Sequence, residues 1–194
     1  YTGQCPCVEN GQLILAPAGE ETLLVGVDLA TGELLWQTPN SIGYKMSHSS
    51  VMPMTLGGKR TFVYAGIGGV CGISAEKNDI GTLLWHTKQW QPSVIAPSPL
   101  RLSNNQIFLV AGYGTGGALL QVDRNGSSWS TKLLDQYKAD KGLSSEQQTP
   151  ILFNNMIISV MPKDGGGLRS RLVCFSPNDL HNPIWTSSGE ERFG

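Results

Sequence analysis

The chain has 194 residues with a formal net charge of −1, from 14 Lys and Arg against 15 Asp and Glu. Without a run of Lys or Arg it lacks the electrostatic footprint for nucleic acid or an anionic lipid surface. No apolar stretch approaches the roughly 20 residues of a membrane-spanning helix. Gly at 24 residues, Pro at 11 and charged residues at 15% favour short strands joined by tight turns over long helices or a disordered tail.

The amino terminus, Tyr1-Thr2-Gly3-Gln4-Cys5-Pro6, carries neither the basic nor the apolar region of a signal peptide. The chain begins without Met and stops at Glu191-Arg192-Phe193-Gly194 as a repeat closes, so it reads as a fragment or mature piece of a longer protein. Four cysteines occur. Cys5 and Cys7, two apart on an expected strand, face one side, where a direct bond between them is strained. Cys71 and Cys174 fall in apolar runs, and no CxxC or His-rich spacing accompanies any of them. The expectation is free thiols and no metal.

One phrase returns about every 46 to 51 residues. Pro6, Pro53, Pro99 and Pro150 recur, all but Pro53 directly after a small or polar residue, and turns follow at Asn10-Gly11, Gly57-Gly58, Asn104-Asn105 and Asn154-Asn155. Third runs end at Val27-Asp28, Ile73-Ser74, Val122-Asp123 and Phe175-Ser176, and Trp36, Trp85, Trp129 and Trp185 close the units. Four such periods, each with room for about four strands, predict an all-β fold of β-propeller blades. The blades span approximately residues 1–45, 46–92, 93–145 and 146–194.

In chain order, the first repeat predicts strands at 12–16, 23–27 and 34–38, and the second at 49–54, 61–65, 70–73 and 82–86. The third has 96–100, 107–111 and 118–122 and ends near Trp129; the fourth has 149–152, 156–160, 172–175 and 183–185. β-branched and aromatic residues between turn signals support strand throughout. The prolines are expected in each blade's first strand, along the central channel, where one N–H lacks a strand partner. Trp36, Trp85 and Trp185 are expected to dock between blades. Trp129 follows Gly126 by three residues, whereas Trp36 and Trp85 follow Gly32 and Gly81 by four. A one-residue shift reverses the face of a strand, so Trp129 is expected to dock differently. The polar stretch 133–146 leaves room for a short helix around residues 135–141.

Gly112-Tyr113-Gly114-Thr115-Gly116-Gly117 matches the GxGxxG of dinucleotide sites, but a strand follows it instead of a helix, so it reads as a hairpin turn. His48, between Ser47 and Ser49, has no nucleophile elbow to serve. His86 and His181 look isolated and exposed. Asp28, Ser74, Asp123 and Ser176 read as turn formers, and Asn125-Gly126-Ser127, a glycosylation sequon by formula, reads as a turn. No catalytic or metal residue is assigned.

Val27-Asp28-Leu29-Ala30-Thr31-Gly32-Glu33-Leu34-Leu35-Trp36 closely resembles the repeat of the pyrroloquinoline-quinone-like (PQQ-like) propellers, A-[LV]-D-x-x-T-G-x-x-x-W. Ile73-Ser74-Ala75-Glu76 with Gly81-Thr82-Leu83-Leu84-Trp85 repeats it after an insertion, and Val173-Cys174-Phe175 with Ile184-Trp185 is a weaker copy. Met46-Ser47-His48-Ser49-Ser50, Gly112-Tyr113, Glu146-Gln147-Gln148-Thr149-Pro150 and Arg192-Phe193-Gly194 are similar to secreted bacterial PQQ-binding-like repeat proteins. The third repeat alone could pass for a kelch blade.

The resemblance implies about four blades out of seven or eight. It covers two functional classes: non-enzymatic scaffolds of the cell envelope, such as the BamB lipoprotein of outer-membrane assembly, and PQQ-dependent alcohol or sugar dehydrogenases using PQQ with Ca²⁺, whose catalytic residues would lie mostly outside this chain. The dehydrogenases carry adjacent cysteines, whereas Pro6 separates Cys5 from Cys7. The favoured expectation is a periplasmic, cell-envelope or secreted scaffold. Its partners would be proteins, the remaining blades, or a second copy meeting open sheet edges.

The segments leading into each blade are unusually polar: Gln4, Ser47-His48-Ser49-Ser50, Ser98 and Glu146-Gln147-Gln148-Thr149. His48, Ser49, Gln147 and Gln148 are the candidate contacts at the channel mouth.

Overall fold

Turn chemistry sets the strands. At Asn10-Gly11, Gly57-Gly58 and Asn154-Asn155 both turn residues have positive φ, between 48° and 75°. Two-residue turns of that hand match the twist of a hairpin, and Asn and Gly tolerate it best. The flanking residues pair across them as Glu9 with Gln12, Leu56 with Lys59 and Phe153 with Met156. The third repeat uses a longer loop, in which the Leu102 N–H donates to Gln106 O.

The computed structural model describes residues 3–190 and 193. Each repeat folds into one antiparallel four-stranded sheet in sequence order. Sheet one holds β1 (Cys7–Glu9), β2 (Gln12–Leu15), β3 (Thr22–Asp28) and β4 (Leu34–Pro39). Sheet two holds β5 (Met52–Leu56), β6 (Lys59–Gly66), β7 (Gly69–Ser74) and β8 (Leu83–Thr87). Sheet three holds β9 (Leu100–Arg101), β10 (Gln106–Ala111), β11 (Gly116–Asn125) and β12 (Ser128–Tyr137). Sheet four holds β13 (Ile151–Phe153), β14 (Met156–Val160), β15 (Leu172–Ser176) and β16 (Asp179–Thr186). Among the described residues no helix is long and apolar enough to cross a membrane.

The core is three layers between successive sheets. Side chains alternate faces along a strand, so β6 sends Phe62 and Tyr64 toward sheet one, and Val63 and Ala65 toward sheet three. In the same way β10 divides Ile107 and Leu109 from Phe108 and Val110. Sheets two and three are buried on both faces, which is why their second strands read as unbroken apolar runs.

Three expectations need correcting. Of the four repeat prolines only Pro53 lies within a strand; Pro6, Pro99 and Pro150 stand just before β1, β9 and β13. A residue without an N–H fits ahead of the ladder more easily than inside it. Residues 135–137 are strand, not helix, because β12 pairs along β11 as far as Tyr137 with Gly117, leaving only a 3-10 turn at Ala139–Lys141. Asp123 makes no turn: it lies within β11, and its carboxylate accepts from the Gln121 amide. Asp28 does cap its turn, accepting from the N–H groups of Ala30 and Thr31, which hold its carboxyl below the usual range. The stretch 191–194, apart from Phe193, lies outside the described residues.

Candidate functional site

The segments that lead into the four sheets meet. A line of hydrogen bonds joins them: the Cys5 N–H donates to Ser50 Oγ (2.9 Å), the Ser50 N–H to Ser98 Oγ (3.0 Å), and the Ser98 N–H to Thr149 Oγ1 (2.8 Å). Each hydroxyl therefore receives the backbone of the sheet before it, and Ser50 and Ser98 each pass a donor to the sheet after. Chain segments ahead of a strand have no ladder partner, and a side-chain acceptor from the next sheet satisfies them. The same positions line one cleft of about 370 Å³, bounded by Cys5, Pro6, Cys7, Ser50, Val51, Met52, Pro53, Ser98 and Thr149. All four repeats contribute to it.

A second line runs beside the first. The Gly3 N–H donates to His48 Nδ1 (3.1 Å), and the His48 N–H to Ile95 O (2.9 Å). The Gln4 amide bridges Ser49 O (3.0 Å) and the Ala16 N–H (2.9 Å). Below it Ser47 is buried, donating its N–H to the Tyr64 hydroxyl (2.9 Å) and its own hydroxyl to Ala65 O (2.6 Å). Burial pushes the Tyr64 phenol up, and it likewise pushes up the half-buried Cys7 thiol and the fully buried Cys71 thiol.

The four residues singled out from the sequence are divided between two places. His48 is half-buried with Nδ1 engaged, and Ser49 is wholly enclosed, its hydroxyl 3.4 Å from Ser50 O. Gln147 and Gln148 are exposed and line a separate cleft of about 280 Å³ with Glu146, Met161 and Lys163. The residues that carry the shared cleft are their neighbours Ser50, Ser98 and Thr149, with Cys5. Three of these four immediately precede a repeat proline. Ser50 breaks that rule, because Val51 stands where Pro6, Pro99 and Pro150 do and Pro53 comes two residues later.

The closing tryptophans also differ in setting. Trp36 stacks on Phe62 of sheet two (5.9 Å between centroids, 13° between planes) and donates from Nε1 to Gln12 Oε1 (2.7 Å). Trp85 is buried in the layer between sheets two and three. Trp185 is 42% exposed, with no fifth sheet against it among the described residues. Trp129 is half-buried opposite Arg124, whose guanidinium sits 5.6 Å from its ring.

Other contacts fasten sheet to sheet. Arg60 and Glu9 form a two-pronged pair between sheets two and one (2.9 and 2.8 Å). His181 of sheet four is not isolated: its ring nitrogens lie 2.8 Å from Lys141 O and 2.7 Å from Asp135 Oδ2 of sheet three. Both partners accept, and the Lys141 carbonyl first and Asp135 second hold its pKa above the ordinary histidine value. The GxGxxG segment is the β10–β11 hairpin, and the Gly114 N–H donates to Asp164 in sheet four's loop (2.7 Å).

No protein-family model matches this chain, and no curated protein matches it. Its fold is similar to the crystal structure of BamB from Moraxella catarrhalis, with a TM-score of 0.55 and 15% identity over 94% of this chain and 47% of that one. The chain thus spans about half the length of that structure. At this identity the likeness shows the fold alone: an all-β, BamB-like β-propeller of which four four-stranded blades are present.

Proposed function

We propose that this chain is a non-catalytic scaffold of the cell envelope that binds protein partners through the faces and mouth of its propeller. One observation carries the reading. The hydroxyls that converge on the shared cleft accept backbone N–H groups from neighbouring blades, so they are committed to rigidity. The fold likeness to BamB supports the same class. Sheet four adds an apolar surface at Ile151, Phe153, Ile184 and Trp185, each more than 40% exposed, suited to a further blade, a second copy or a protein partner.

The rival reading, a PQQ-dependent alcohol or sugar dehydrogenase, needs a quinone held over a calcium ion. The shared cleft does not fit that pair: no carboxylate lines it, and Ca²⁺ takes six to eight oxygen ligands, carboxylates among them.

Two measurements test the proposal. A photo-crosslinking residue at position 153 is expected to give discrete adducts with envelope proteins, and a complete lack of adducts counts against a scaffold. Titration with PQQ and Ca²⁺ is expected to show no saturable binding. Tight binding with alcohol-driven reduction of a dye would overturn the proposal.

A further inference from the structure

The junctions between successive sheets follow one rule. In sheet one Cys7, Ile14, Gly26 and Trp36 pair across the four strands and so share a face. That face packs on the row Phe62, Ile73 and Leu83 of sheet two. The opposite face of sheet two, with Met52, Val63, Gly72 and Trp85, packs in turn on Ile107, Leu120 and Leu133 of sheet three. The tryptophan face of one sheet thus meets the other face of the next.

Two faces of this kind have no sheet against them among the described residues. Sheet four presents a tryptophan face: Ile151, Ile158, Cys174 and Trp185 pair across its strands, and Ile151, Trp185 and the neighbouring Phe153 are exposed. Sheet one presents the other kind: Val8, Leu13, Val27 and Leu34 pair across its strands, with Val8 and Leu34 exposed. Neither row holds a charge, and exposed apolar rows favour burial. The hydroxyl line stops at the same two sheets, since among the described residues no bond of it leaves Thr149 for a following sheet or reaches Cys5 from a preceding one. A head-to-tail contact of unlike faces either closes into a ring or grows without limit. Here the lead-ins of all four sheets already meet at one cleft, and the chain spans 47% of the BamB structure to which its fold is similar. Two copies therefore fill the circle.

We propose that two copies of this chain close into one ring, sheet four of each packing on sheet one of the other. The two new junctions repeat the kind already present between sheets one, two and three. Thr149 of each copy comes beside Cys5 of the other, which continues the line of lead-ins around the ring. The pairing concerns the chain and its own copy and does not require that any other protein bind.

Sedimentation equilibrium of the purified chain tests the ring. The mass of two chains is expected, with no growth beyond two as concentration rises. Phe153→Asp on one face and Val8→Asp on the other should each weaken association by more than about 30-fold, as losing one dominant interface residue does. Both positions are exposed, and circular dichroism checks that the variants fold. Mixed in equal amounts, the two variants should pair more tightly than either does alone, because the native sheet four of one meets the native sheet one of the other. Trp185→Ala should weaken association while leaving the stability of the single chain unchanged. A photo-crosslinking residue at position 153 of the purified chain should be traced to sheet one of a second copy. Adducts with other envelope proteins, formed where the face is free, test the scaffold reading separately. A single-chain mass at high concentration overturns the ring, as does growth beyond two chains. A pair that survives Val8→Asp intact overturns it too, since only like faces would then be in contact.

Discussion

In sheets one and two the closing tryptophan lies across a glycine, Trp36 against Gly26 and Trp85 against Gly72. A Cβ on either glycine would stand 2.2 or 2.3 Å from the indole. Sheet four keeps the register, with Trp185 opposite Cys174 and the same one-residue bulge beside it, but the seat is filled and the ring is exposed. Sheet three has lost the arrangement. Its bulge lies between Leu119 and Leu120, Asp135 faces Leu119 there, and Trp129 stands at the hairpin tip opposite Arg124. Asp135 instead reaches His181 of sheet four. The first two interfaces are thus fastened by a ring in a seat and the third by a polar bridge. A blade-closing tryptophan needs its seat as much as its own place in the sequence.

Truncating the tryptophans should separate the two kinds of sheet most clearly. Trp85→Ala is expected to cost about 3–5 kcal/mol, the range for a buried aromatic. Trp36→Ala should cost less, since part of its ring is exposed, and Trp129→Ala less again. Trp185→Ala should stay within roughly 0.5 kcal/mol, as for a surface substitution. Denaturant titration of the four variants orders them, and a loss at Trp185 equal to that at Trp85 contradicts the comparison. Gly72→Ala sharpens it. The added methyl should cost about 1–3 kcal/mol by overpacking in the native chain and much less in the Trp85→Ala background, which a double-mutant cycle measures.

The hydroxyl line spans all the lead-ins whatever the fate of the tryptophans. Ser98 is buried, so Ser98→Ala leaves the Ser50 N–H without its acceptor and should cost about 1–3 kcal/mol. Ser98→Thr keeps the oxygen and should recover most of it. If alanine and threonine destabilise equally in thermal melts, the hydroxyl is not what matters.

The smallest effect belongs to the bridge between sheets three and four. His181 has its pKa raised above 6.5, so its contribution is complete below the unfolded value and is lost as the pH climbs through the raised folded value. His181 and Asp135 are 47% and 38% exposed, and a half-exposed pair contributes little. The stability gap between the native chain and His181→Asn is expected below about pH 6.5 and should close at higher pH. A gap that widens toward alkaline pH reverses the sign and removes the bridge from the account.

Much of the fold was legible in the sequence because its causes are local. Asn-Gly, Gly-Gly and Asn-Asn pairs demand positive φ, and apolar runs between them make strands. The shifted spacing of Trp129 also predicted its different docking. The cleft was half legible: the lead-ins stood out as polar, yet the residues chosen from them were His48, Ser49, Gln147 and Gln148 instead of Ser50, Ser98 and Thr149. The displaced proline hid the equivalence of Ser50, since Pro53 matches Pro6 in distance to the turn while Ser50 matches Cys5 in hydrogen bonding. His181 was read as solitary because its partners Asp135 and Lys141 lie 46 and 40 residues away.

By itself the sequence determined four repeats, their turns, their strands and their all-β class, because φ preference and side-chain alternation act over a few residues. Only the tertiary structure decided which tryptophan has a seat and which hydroxyl meets which backbone N–H. Those facts depend on the angle and register between sheets, which are set by packing across residues 45 to 51 positions apart, beyond the reach of any local preference.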